Sequence, residues 1–146
     1  EMLSDIKATQ GLTNLQKLLL LHDRIAVRCE YDYEGYEKYM KSSEYNSDAQ
    51  IGDYVAPESF GMYGALVLGV AVCEGYSRSY QYMLNELGIE NYLCSSVDLC
   101  HVWNIVKLDN QYYYLDITTT STNNDPVING ISYASFKVFT FTTLFP

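Results

Sequence analysis

A single α+β domain, with one buried helix packed on an antiparallel β-sheet, is the architecture this sequence predicts. Three observations carry that prediction. Cys73, Tyr76, Tyr80, Met83, Leu84 and Leu87 recur at helical spacing until Gly88 stops the pattern. Two segments rich in β-branched and aromatic residues, Val102 to Leu108 and Gln111 to Ile117, flank the two-residue turn Asp109-Asn110 and read as a hairpin. At 146 residues the chain fits one domain, 1–146, with one core.

The elements follow in chain order. Thr13-Asn14-Leu15-Gln16 offers a capping box, in which the Thr13 hydroxyl and the Gln16 side chain satisfy orphan backbone donors, so a helix starts there. Leu15, Leu18, Leu19, His22, Ile25 and Ala26 fall on one face, and the helix is expected to pack inward and end before Tyr31. His22 on that face reads as a core histidine. Residues 30 to 60 show no sustained period and read as a long surface connection, whose Tyr31, Tyr33, Tyr36 and Tyr39 are placed to lie over a cleft or to fill a surface helix.

Cys73 then opens the buried helix. Glycine one turn into a helix costs about 1 kcal/mol relative to alanine, so Gly75 marks close approach by another backbone or a substrate. Ile89 to Ser95 forms a further strand. Counting outward from the hairpin turn pairs Leu108 with Gln111, Ile105 with Tyr114, Trp103 with Asp116 and His101 with Thr118. His101 and Asp116 are then diagonal neighbours on one face. The polar run from Thr118 to Asp125 reads as a loop, and Asn129-Gly130 as a turn before strand-like residues from Ile131 to Phe141.

Composition narrows the function classes. Nine basic against eighteen acidic residues give a net charge of −9, which repels phosphate backbones and anionic lipids and excludes nucleic acid as a natural partner. The longest apolar stretch, Ala65 to Cys73, is interrupted by Gly69 and falls short of the about 20 residues of a membrane span. The sequence starts at Glu1 without a basic-then-apolar leader, so we expect a piece of a longer protein. Cys29, Cys73, Cys94 and Cys100 show no paired spacing and read as free thiols. Fifteen tyrosines beside nine Lys and Arg suit an extracellular or cell-surface protein. Cys94, Cys100 and His101 are the rival zinc ligands, but without C-x-x-C pairs or a second suitably placed histidine no metal site is expected. No phosphate loop, dinucleotide fingerprint or serine elbow occurs, and no cofactor is implied.

The remaining chemistry lies in Cys73, His101 and Asp116. A thiol at a helix N-terminus gains thiolate character from unpaired amides and the macrodipole. A carboxylate between Leu115 and Ile117 needs a donor, and His101 supplies one, leaving the imidazole oriented for proton transfer. Thiol, imidazole and carboxylate together make a cysteine acyl-transfer site.

Four segments carry a resemblance. Val72-Cys73-Glu74-Gly75-Tyr76-Ser77, Tyr82 with Leu87-Gly88-Ile89, His101-Val102-Trp103-Asn104-Ile105-Val106 and Tyr113-Tyr114-Leu115-Asp116-Ile117-Thr118 are similar to the transglutaminase-like superfamily, in its bacterial branch of the papain-like thiol fold. The similarity covers about residues 60 to 118, with Leu21-His22-Asp23 also similar to what precedes the core there. It implies a papain-like core with Cys73 as nucleophile, His101 as general base and acid, and Asp116 as orienting carboxylate. It further implies an oxyanion hole of the Cys73 amide and a second donor, for which Tyr63 is the candidate, while Trp103 and Tyr76 are candidate substrate contacts. Protein or peptide amides are the implied substrates, with water as acceptor for a cysteine protease or amidase and an amine for a crosslinking transferase. Calcium serves some animal relatives, but no calcium loop is present here. Thr119 and Thr120 replace the aromatic residue and acid that usually follow, and Cys100 replaces a commonly small residue before the histidine. The competing expectation is an inactive module of the same fold that binds protein or glycan through its tyrosine-rich surface.

Overall fold

The computed structural model describes residues 3–45, 58–118, 127–128, 131–132 and 138–140. A short helix α1 (Ser4–Ala8) leads to α2 (Asn14–Arg28), which begins as expected at the complete Thr13–Gln16 capping box. Its buried stripe is Leu18, Leu21, His22 and Ile25, whereas Leu15 and Leu19 are exposed. That corrects the expected face. Four consecutive leucines, Leu18 to Leu21, let several helical phases look apolar, and packing selects the one completed by His22 and Ile25. His22 is buried as a core histidine, its Nδ1 3.1 Å from Asp23 Oδ1.

Residues 30 to 60 are not one long surface connection. After β1 (Glu30–Tyr31) comes helix α3 (Tyr33–Tyr45), whose first turn is capped where Asp32 Oδ1 accepts from the Gly35 N–H at 2.8 Å. Glu34 and Lys38 pair across one turn at 2.6 Å. Tyrosines and charges in place of aliphatic residues hid this helix from an apolar-period reading.

A 3₁₀ turn (Glu58–Phe60) and a π-helical turn (Gly64–Leu68) precede β2 (Val70–Ala71), which pairs in parallel with β1. Helix α4 (Cys73–Glu86) follows immediately. Gly88, at φ +70°, closes it as expected, with Ile89 N–H donating to the Leu84 carbonyl and Gly88 N–H to that of Asn85, a Schellman arrangement. Cys73, Tyr76, Tyr80, Met83 and Leu84 of the expected stripe are buried, together with Gly75, Ser77 and Ser79, while Leu87 is half-buried. The Gly75 expectation also holds: a Cβ there would stand 2.4 Å from the Ser59 carbonyl oxygen and 3.0 Å from Ala71 Cβ.

Strands β3 (Asn91–Ser96), β4 (His101–Leu108), β5 (Gln111–Leu115) and β8 (Val138–Thr140) form an antiparallel sheet in that order, while β6 (Val127–Ile128) pairs with β7 (Ile131–Ser132). The β4–β5 register has Leu108 opposite Gln111 and Ile105 opposite Tyr114, as counted from the turn. Asp109 and Asn110 both adopt positive φ, 49° and 63°, the geometry a two-residue hairpin of this kind demands. The 118–125 loop beyond Thr118, including Thr119 and Thr120, the Asn129-Gly130 turn and much of the Ile131 to Phe141 segment lie outside the described residues.

Helix α4 packs on β3 and β4 and against α2. Ser77 Oγ donates to the Val102 carbonyl at 3.0 Å, and buried Asn104 Nδ2 donates to the Ser77 carbonyl at 3.0 Å. These bonds fix the helix N-terminus against the start of β4. The Tyr80 hydroxyl donates to the Leu18 carbonyl, joining α4 to α2 through the core. Among the described residues no helix is long and apolar enough to cross a membrane.

Candidate active site

Cys73 is the first residue of α4 and is 5% exposed, with its backbone amide among the unpaired donors of the first turn. His101 is the first residue of β4 and Asp116 follows the last of β5, so the hairpin brings both to one end of the sheet. His101 Nε2 lies 2.6 Å from Asp116 Oδ2. The Cys73 thiol lies beside the imidazole, near enough to act on its pKa. The structure therefore unites the three residues expected to act together.

Asp116 is held by more than the histidine. Its Oδ1 accepts from the Thr118 N–H at 3.0 Å and from the Thr118 hydroxyl at 2.7 Å. Burial pushes the carboxyl up, but the bonds from His101 and Thr118 outweigh it and keep the group below the usual carboxylate range. The Asp116 bond, supported by the nearby Cys73, pushes His101 up to about 10 against the opposing effect of burial, so the imidazolium is the resting form at neutral pH.

A cleft of about 330 Å³ opens onto Cys73 and His101. Tyr36 and Tyr39 of α3, with Phe60, line one wall. Ser95, Ser96, Val97, Cys100 and Val102 of the β3–β4 region line the other, and Glu74, paired with Arg78 at 2.7 Å, also faces it. Of the four tyrosines expected over a cleft, Tyr36 and Tyr39 line it, while Tyr33 is 63% exposed outside it. Burial, then the nearby Cys100 and Cys73, raise Tyr36 above the usual phenol range.

Tyr31 is a neighbour of Cys73 that sequence reasoning did not single out. The parallel β1–β2 pair sets Tyr31 opposite Ala71, beside the entry to α4. Its side chain comes close to Cys73. Burial, and then the nearby Cys73, raise its pKa, so the phenol keeps its proton at neutral pH. Tyr63, the sequence candidate for this place, is 55% exposed at the start of the π-helical turn and does not line the cleft.

The remaining candidates divide. Trp103 stacks on His101 with centroids 6.0 Å apart and planes at 22°, a wall beside the imidazole. Tyr76 is not positioned to touch substrate: its side chain is fully buried, its hydroxyl donates to the Cys29 carbonyl, and its ring stacks on Tyr31 at 6.3 Å. It supports the ring of Tyr31 from beneath. All four cysteines are free thiols, and among the described residues no cluster of three His, Cys, Asp or Glu is arranged to hold a metal.

No family model and no curated protein matches this chain. A crystal structure of a TGase, a transglutaminase, is similar at a TM-score of 0.61 and 20% sequence identity over 86% of this chain. The chain spans 31% of the length of that structure. With a helix opening on Cys73, packed on an antiparallel sheet that presents His101 and Asp116, the chain has a transglutaminase-like α+β fold.

Proposed function

We propose that this chain performs thiol-dependent acyl transfer on amide bonds of protein or peptide substrates. One observation carries the reading: Cys73 opens α4 and lines a cleft together with a histidine that is itself 2.6 Å from a carboxylate. Asp116 occupies Nε2, so Nδ1 is the nitrogen turned to the thiol.

The Cys73 sulfur attacks the amide carbonyl carbon, forming a C–S bond and moving an electron pair onto oxygen. The Cys73 N–H, at the start of α4, and the Tyr31 O–H, near Cys73, are the donors we assign to that oxyanion. Collapse breaks the C–N bond as the His101 imidazolium gives its proton to the leaving amine. The neutral imidazole then takes a proton from water or a second amine as that nucleophile attacks the thioester, which releases Cys73 and restores the imidazolium. Water yields an acid, as in a peptidase or amidase, and an amine yields a new amide, as in a crosslinking transglutaminase.

The test is peptide-mapped alkylation by iodoacetamide near neutral pH, comparing wild type with His101→Ala. Labelling of Cys73 faster than exposed Cys100 by about 10-fold or more, and slowed by the substitution, is the expected result. Equal rates at the two thiols, or indifference of Cys73 to His101, overturn the proposal and favour an inactive binding module.

A further inference from the structure

Resting on the acyl-transfer reading of this cleft, we infer that its acyl donor carries a large uncharged side chain, aromatic above all, beside the reacting amide. Tyr39 and Phe60 stand 5.2 Å apart between centroids at 54°, a tilted pair of the kind that accepts a third ring by edge or offset contact. Tyr39 is 38% exposed, so its ring is within reach of a ligand. Across the cleft Val97 is 90% exposed, and Leu99 on the same turn 68%. Apolar side chains on both sides of the mouth present a surface that gains by being covered.

Size and charge narrow the occupant. At about 330 Å³ the cleft is at the small end of ligand sites, with room for one large residue and its amide. Among the described lining residues there is no Lys or Arg, and Glu74 faces the cleft. Arg78 is already paired with Glu74 and the His101 cation with Asp116, so an acidic donor side chain would be desolvated without a further cation to meet it. A phenyl ring carries no such penalty.

Binding is to be read in the Cys73→Ala chain, where no chemistry follows, by fluorescence anisotropy. The probes are fluorescein-labelled Gly-Gly-Gly-Xaa carboxamides with Phe, Ala or Asp as Xaa. We expect Phe to bind about 10-fold or more tighter than Ala, and Asp to bind weakest. Adding Tyr39→Ala should bring the Phe peptide to the level of the Ala peptide measured in the same variant. Val97→Asp, on an exposed side chain, should weaken Phe and Asp alike. Equal binding of Phe and Asp, no saturable binding of any peptide to millimolar concentration, or a Phe preference that survives both substitutions overturns the inference. Failure of the acyl-transfer reading is a separate outcome: selective binding here with an inert Cys73 in the wild-type alkylation assay.

Discussion

Tyr31 stands beside Cys73, near enough for the two side chains to act on each other's charge, although the residues lie on different elements far apart in sequence. The parallel pairing of Tyr31 with Ala71 sets that contact, and the stack on Tyr76 holds the ring.

Tyr31→Phe keeps the ring and removes the O–H. Acyl transfer from an amide substrate should fall about 10²-fold in kcat, since one oxyanion donor is worth roughly that much, with KM little changed. Iodoacetamide alkylation forms no oxyanion, so its rate at Cys73 should stay within a few-fold of wild type. Equal loss in both assays would assign Tyr31 to the thiol instead of the oxyanion.

The His101–Asp116 pair makes stability depend on pH in a defined window. His101 is raised from 6.5 to about 10, so its stabilisation is whole below pH 6.5 and is lost as pH rises through about 10. Asp116 is lowered from 3.8, so its contribution is whole above pH 3.8 and is lost as pH falls through the lowered value. The gap in urea midpoint between wild type and Asp116→Asn should be widest between pH 3.8 and 6.5 and close toward pH 10. A gap that widens from pH 7 to 10 would contradict the ion pair.

Gly75→Ala tests the crossing of α4 by the Ser59 backbone. Alanine favours a helix interior by about 1 kcal/mol, but its Cβ would stand 2.4 Å from the Ser59 carbonyl oxygen, which cannot swing aside as a side chain does. Urea unfolding should show a net loss of about 1–3 kcal/mol, the range of core overpacking. Neutral or stabilising behaviour would mean that the 3₁₀ turn gives way freely.

Legibility in the sequence followed the range of the interactions. The Thr13 cap, the Gly88 stop and the β4–β5 register were readable because each is settled within a few residues by backbone geometry. The His101–Asp116 contact was readable for the same reason, since a two-residue turn leaves one register. Helix α3 was missed because its tyrosines gave no apolar stripe, although Asp32 was available as a cap and Glu34 with Lys38 as a same-face pair. Tyr31 was not singled out as a neighbour of Cys73 because a two-residue parallel pairing delivers it, and parallel pairs have no signature in a single short segment. The transglutaminase-like fold was visible in the motifs around Cys73, His101 and Asp116 and agrees with the structural likeness. The cleft walls, assembled from α3 and the β3–β4 region, were not.

The tight turn at Asp109-Asn110 has a kinetic consequence. The imidazole and its carboxylate belong to one hairpin, whose closure costs little chain entropy, so this half of the centre can assemble early and locally. The sulfur joins only when α4 docks, through the Ser77 bond to Val102 and the Asn104 bond to Ser77. On the acyl-transfer reading proposed above, an emerging or partly unfolded chain would hold Cys73 apart from the imidazole until the last long-range contacts form, which would guard the protein against reacting with itself before it is folded.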